Sequence, residues 1–405
     1  QAVTHTPNRP NCTDDSQLWK NIVADLEDAV SLLPERQEEA GRVDKNAARA
    51  MAAKALLFMA YEQDERHQLV NVNKDVLKRS LEYINQLTEQ EGSKVGLCED
   101  IAENFLPEYD NKTKEALWEL QYSISDGTSS GGNTNNGAEL NAPSWEPYFP
   151  CCDFHKASFN LANAFRTDEN GLPLFDTFNN AEMKDRYDEY FAANTFDPRF
   201  SHTMAVPGHP FKYNPDLIFE KSAARSPGDY GYLKSIKEIV PAFCDCMIVN
   251  RNSMNVRNVR YAEILLWKAE ILIQLDRFKE ARPIINQLRE RANNSRTRLL
   301  TADGKPYLNY KVGLYPDDGK WTKEYAWKAM MFESRLEMAC EGRRFFDLLR
   351  WGILEPTMNA YFAKEKTRFS WMDNAVFVAG RDEYKPIPQQ QINWAKGNYT
   401  QNPGY

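Results

Sequence analysis

From Val256 to Asn294 apolar side chains recur at helical spacing in two consecutive stretches. Tyr261, Leu265, Ala269 and Leu272 mark the first, and Phe278, Ala281, Ile285 and Leu288 mark the second. Each set lines one side of a 3.6-residue helix. With a turn near Asp276, the segment reads as a pair of antiparallel amphipathic helices. Such a pair cannot bury both apolar faces by itself, so further helices must stack on it. Ala269 and Ala281 let those neighbours approach closely. Pro283 lies inside the second stretch, where it should kink the helix or move its start later.

Other stretches supply the neighbours. A first helix is expected over Asp14 to Leu33, with Thr13 as cap, Pro34 as stop, and Trp19, Ile22, Leu26, Ala29, Val30 and Leu33 on one face. An alanine-dense helix over Lys45 to Tyr61, entered through Asp44, is followed by one over Lys74 to Leu87 capped by Asn73. Val76, Leu77, Leu81, Ile84 and Leu87 form the buried stripe of the latter. The twelve-residue spacing of Ala269 and Ala281, with Phe278 nine after Ala269, fits the tetratricopeptide pattern. A long charge-dense helix is expected over Lys323 to Trp351, with Glu333, Glu341, Arg343 and Arg344 in a partly buried ionic network. Residues 92–255 change character: an alternating run at Trp118, Leu120, Tyr122 and Ile124 leads into a Gly/Ser/Asn tract from Asp126 to Asn141. The chain therefore divides into an N-terminal helical part (1–91), an irregular lobe (92–255) and a C-terminal helical part (256–405). Its fold class is mainly α, helix pairs supporting a loop-rich lobe, and long irregular insertions of this kind usually carry function.

Composition removes several function classes. A net charge of -8 over 405 residues gives no broad cationic face for nucleic acid or an anionic membrane. No run of about 18 uncharged apolar residues occurs. The seven cysteines, at 12, 98, 151, 152, 244, 246 and 340, are odd in number and lack the spacing of a zinc knuckle, so buried or incidental thiols and no metal are expected. Gly127-Thr128-Ser129-Ser130-Gly131 matches the hydrolase elbow but is followed by a flexible tract, not a helix. Gly313 to Lys320 resembles a phosphate loop with wrong glycine spacing and Trp321 in the Ser/Thr place. The histidines at 5, 67, 155, 202 and 209 form no metal-binding pair. No catalytic residue and no cofactor is assigned, although a glycosidase carboxylate pair is invisible in sequence.

Aromatics in and beside polar loops are the more telling signal. Trp145, Tyr148, Phe149 and Phe154 follow the Asn-rich tract, and Trp371 stands near Arg368, Asp373 and Asn374. A pyranose stacks its C–H face on such rings while amides and acids take its hydroxyls. The candidate platforms are Trp145, Tyr148 and Trp371, and the candidate hydroxyl partners are Asn135, Asp153 and Asp373. A neutral or weakly charged ligand is expected.

Several stretches together resemble the SusD/RagB family of outer-membrane surface glycan-binding lipoproteins. They are Asp25-Leu26-Glu27-Asp28-Ala29 leading to Leu33-Pro34, Gly41-Arg42-Val43, Asp197-Pro198-Arg199, Arg260-Tyr261-Ala262-Glu263-Ile264 with Ala269-Glu270, the run Glu341 to Trp351, Pro386-Ile387-Pro388 and Gln401 to Tyr405. The resemblance implies four tetratricopeptide-like helix pairs under an irregular lobe, no catalysis, and a lid-like pairing with a SusC-like TonB-dependent transporter. It also implies attachment to the outer membrane, on its extracellular face, through a lipidated cysteine. Since the chain opens at Gln1 and Cys12 lies in no lipobox, the first third and the anchor are expected outside it. Competing readings are a glycoside hydrolase, a protein-interaction or fimbria-associated repeat module, and uptake of peptide in place of glycan.

Overall fold

Side-chain caps set the first helices. The computed structural model describes residues 15–128, 132–183 and 186–405; Thr13, Asp14, Cys12, His5, Ser129 and Ser130 lie outside them. Helix α1 spans Asp15–Leu32, α2 Lys45–Ala60 and α3 Lys74–Thr88. Asp44 accepts the Ala47 amide at 2.9 Å, and Asn73 accepts the amides of Asp75 and Val76, which satisfies donors that no helical carbonyl reaches. Fully buried alanines at 50, 52, 53 and 60 bring α2 close to its neighbours, and α1 and α3 both pack on it. The inward stripe of α1 is displaced from the expected one: Val23 is buried and Ile22 is 37% exposed.

Strand β1 (Ala116–Leu120) is shorter than the alternating run, since Tyr122 and Ile124 fall outside it. The lobe that follows holds short helices such as α4 (Phe159–Ala164) and strands joined in two-stranded pairs. Val256–Arg260, expected as helix, forms strand β2, antiparallel to β1 with Val256 opposite Leu120 and Arg260 opposite Ala116. Its β-branched residues and ladder partners explain the switch. The helical hairpin begins one residue later, as α5 (Tyr261–Gln274) and α6 (Phe278–Asn294), with Asp276 in the left-handed region at the turn.

Helix α5 is not amphipathic. From Tyr261 to Ile273 every residue except Lys268 is buried, because α3, α6 and α7 (Lys323–Glu337) surround it. Pro283 neither delays nor ends α6, which runs through it. The expected helix from Lys323 to Trp351 is two: α7 stops at Glu337, and α8 (Arg344–Arg350) and α9 (Leu354–Glu365) follow. Cys340 (φ 63°) and Gly342 (φ 77°) turn the chain between α7 and α8. The structure is thus mainly helical. Its main core runs from Ala50 and Leu57 through Leu77, Ile264 and Ile285 to Trp351; one aromatic cluster lies in the lobe, and a second joins the lobe to α7.

Between helices and lobe lies a buried array of charges. Arg199, Lys237, Arg260, Arg289 and Arg291 face Glu115, Asp197, Glu333, Glu337 and Glu341, and all but Glu341 are buried. Arg260 donates to Glu115 and Glu337 at 2.7 Å and to both oxygens of Glu341 at 2.8 Å. Glu337 also meets Arg199 and Arg291, and these cations outweigh burial and hold its carboxyl well below the usual range. Glu333 and Glu341 belong to this array as expected, whereas Arg343 pairs with Glu263 instead and Arg344 has no carboxylate within ion-pair distance among the described residues. Arg289 also donates to the carbonyls of Gly171 and Gly313 at 2.6 Å each, where two backbone segments cross so closely that a Cβ on either glycine would strike the other segment. Glu337→Gln leaves buried cations without their anion. Chemical denaturation should place the variant about 3–5 kcal/mol below wild type.

Candidate functional site

Trp371 sits in a single 3₁₀ turn, Ser370–Met372, beyond α9. Its ring is 53% exposed, and its indole Nε1 donates to the Asp229 carbonyl at 3.0 Å. That bond fixes the ring beside Tyr230, itself 48% exposed, with centroids 5.5 Å apart and planes at 63°. Behind the pair, buried Phe369 lies 6.3 Å from Trp371 and stacks on Phe159 of α4 at 5.7 Å and 23°. The pair is therefore open on one side and backed by core on the other. Asp373, also exposed, closes the same turn through its amide to Ser370. The result is a fixed apolar surface beside a carboxylate, suited to a ligand with one flat hydrocarbon face and polar edges.

The other sequence candidates do not gather here. Trp145 is 5% exposed and hemmed in by Phe211 at 5.5 Å, Phe219 at 5.4 Å and Tyr148 at 4.8 Å, so it has no free face for stacking. It is the centre of a lobe core. Tyr148 is partly buried and contacts the exposed Phe243 at 5.1 Å, a second ring pair apart from the first in sequence. Asp153 is buried as a counter-ion: it accepts Lys156 Nζ at 2.6 Å and the Arg225 amide at 2.9 Å, with Lys234 Nζ 3.4 Å away. Asn135 is largely buried, with its backbone amide bonded to the Asn252 carbonyl. Asp153 is not free to take a sugar hydroxyl. Tyr230 escaped the sequence reading. Its signal was the turn-forming Ser226-Pro227-Gly228-Asp229 before it and Gly231 after it.

Cys151–Cys152 and Cys244–Cys246 are disulfides, which corrects the expectation of incidental thiols for these four; Cys98 and Cys340 are free. Trp321 is buried with Nε1 donating to the Phe278 carbonyl, while Gly313 to Lys320 is a largely exposed connection outside any helix or strand. His202 is buried between the Ser295 carbonyl and the Tyr213 hydroxyl, and burial holds its pKa down at about 4. Among the described residues no group of His, Cys, Asp and Glu is placed to hold a metal, and no helix is long and apolar enough to cross a membrane.

Comparison with known proteins places these features in a wider set. The model described as SusD family matches residues 114–405, more than half of the chain. A SusD-like protein P38 from Formosa agariphila is 31% identical over 176 residues, covering 41% of this chain and 32% of that relative. A SusD superfamily protein from Bacteroides vulgatus superposes with a TM-score of 0.65 at 19% identity, over 97% of this chain and 69% of the other. A SusD-like carbohydrate binding protein from Bacteroides fragilis gives 0.63 at 18%, over 94% and 70%.

The ring pair depends on Gly231. At φ 74° it lies against Phe159, where an added Cβ would come within 2.8 Å of two ring carbons. Gly231→Ala must displace either Phe159 or the Tyr230 backbone. A loss of about 1–3 kcal/mol in denaturant titration is expected, with a changed tryptophan emission.

Proposed function

Since this chain belongs to the SusD family, we propose that it binds a glycan at the cell surface without catalysis and delivers it to a SusC-like TonB-dependent transporter. The observation that carries this reading is the exposed Trp371–Tyr230 pair, fixed by the Asp229 carbonyl and backed by Phe369. Rings held in place before binding lose little freedom when a sugar stacks on them. The protein is read as an outer-membrane lipoprotein facing the medium, its anchor outside these residues. Residues 1–91 and 256–405 serve as the helical support, while the 92–255 lobe supplies Tyr230 and the support supplies Trp371.

The distribution of perturbed carboxyls favours binding over hydrolysis. A glycosidase needs one acid raised in pKa beside the bound sugar. Burial raises Glu263, Asp110 and Glu365, but these are paired with Arg343, Arg257 and Arg368 inside the packing, and it raises Asp44, whose carboxylate is taken up in capping α2 at the Ala47 amide. Glu103 is also raised, by burial and by Asp100, and lines a cavity of about 500 Å³. That cavity has no aromatic wall for a pyranose.

Affinity electrophoresis through a panel of polysaccharides tests the proposal. Wild type should be retarded on at least one glycan and release no reducing sugar from it. Trp371→Ala or Tyr230→Ala should each weaken retention about tenfold, the equivalent of ~1.4 kcal/mol. Undiminished retention in the double variant would remove the ring pair as the site.

A further inference from the structure

Among the described residues most deeply placed arginines have a carboxylate partner; Arg335 and Arg344 do not. Arg199, Arg257, Arg260, Arg289, Arg291, Arg343, Arg350 and Arg368 all stand within ion-pair distance of Asp or Glu. Arg335, on α7, instead donates to the side-chain and backbone oxygens of Asn160 and lies over the Phe178 ring at 4.9 Å. Arg344, at the start of α8, makes only a long bond to the Met331 carbonyl, at 3.4 Å, and lies over Trp351 at 5.9 Å. Its nearest acid, Asp347, is engaged by Arg350 at 2.9 Å and by Ser334 at 3.1 Å.

Both residues are densely surrounded by protein, yet neither is fully buried. Burial, with the neighbouring Arg344 charge second, pushes Arg335 down to about 9, and burial pushes Arg344 down to about 10. Arg166 adds a third guanidinium without a carboxylate beside the same turn, donating to the Asn194 side chain and the Phe178 carbonyl. Uncompensated charge of this kind is costly in a folded protein unless something external neutralises it.

We propose that Arg335 and Arg344 form a binding site for an anionic group, carboxylate or sulfate, carried by an acidic glycan. The guanidinium fork matches either anion in two-point geometry, and each fork stands over an aromatic ring, Phe178 or Trp351. The source follows from position. Asn160, which orients Arg335, adjoins Phe159, and Phe159 stacks on the Phe369 ring that backs Trp371. Ring platform and arginine pair thus share one support, as a chain with apolar faces and acidic substituents requires. The site selects an acidic ligand where the sequence reading expects a neutral or weakly charged one, and it rests on the glycan-binding reading.

The test compares wild type with Arg335→Gln and Arg344→Gln. In chloride the variants should melt at or above wild type, since no carboxylate loses a partner and an unneutralised charge is removed. A fall as large as that of Glu337→Gln would mark the arginines as structural and overturn the site. Replacing chloride by sulfate at matched ionic strength stabilises all proteins somewhat, but wild type should gain several degrees more than either variant; equal gains overturn the site. On gels containing polygalacturonate or chondroitin sulfate, wild type should be retained and each variant weakened about tenfold, with neutral glycans unaffected. Arginine-dependent sulfate protection combined with retention on neutral glycans alone, or with binding of poly-glutamate, overturns the assignment to an acidic glycan while leaving the ring platform standing. Loss of all glycan retention, in wild type itself, would instead sink the glycan reading.

Discussion

Buried charges have to be neutralised together, and this requirement organises the molecule. In a low-dielectric interior an isolated guanidinium or carboxylate is prohibitively unfavourable, so each member of the array is tolerated only while its partners are in place. Arg260 illustrates the reach of the constraint, because its partners Glu115, Glu337 and Glu341 lie 145, 77 and 81 residues away in sequence. Asp197, Arg199 and Lys237 come from the lobe, whereas Arg289, Arg291, Glu333 and Glu337 come from α6 and α7. A lobe of two-stranded pairs and single helical turns has little cooperative structure of its own. Its position on the helices is set by ions, by the Gly171–Gly313 crossing, and by rings such as Phe200 and Phe332 in a shared cluster.

A surface built this way is rigid where it matters for recognition. Trp371 and Tyr230 are contributed by segments 141 residues apart, yet the Asp229–Trp371 bond and the Phe159–Phe369 stack hold them in one arrangement. The arginine pair shares that backing. On the proposed reading, recognition would be governed by the spacing of rings and charges along a ligand, not by enclosure in a deep pocket.

The helices were legible because their signals are local: Asp44 and Asn73 cap as their positions suggest, and the stripe of α3 is buried as its spacing requires. Three features were not local. Val256–Arg260 precedes the helical periodicity without interruption, and only its pairing with Ala116–Leu120 makes it a strand. The charge pattern from Glu333 to Arg350 continues across Cys340 and Gly342, so composition hid the break between α7 and α8. Glu333 and Glu341 were recognisable as network members, but their partners Arg199, Arg260 and Arg289 were distant in sequence. The site suffered most. Trp145 and Trp371 look alike in sequence, each an aromatic beside polar residues, and only packing makes one a core residue and the other a surface ring. Asp153 likewise reads as a free acid until Lys156, Lys234 and the Arg225 amide are folded around it.

The enclosure of α5 by other elements sets a gradient of motion through the molecule. With every residue but Lys268 buried from Tyr261 to Ile273, no partial opening brings water to its backbone, so those amide hydrogens exchange with solvent only when the whole chain unfolds. Helix α1, resting mainly on α2 and exposing Leu18 and Leu32, separates at far smaller cost, and its amides exchange first. Deuterium would therefore enter from the α1 edge inward, with α5 the last element to lose its protons.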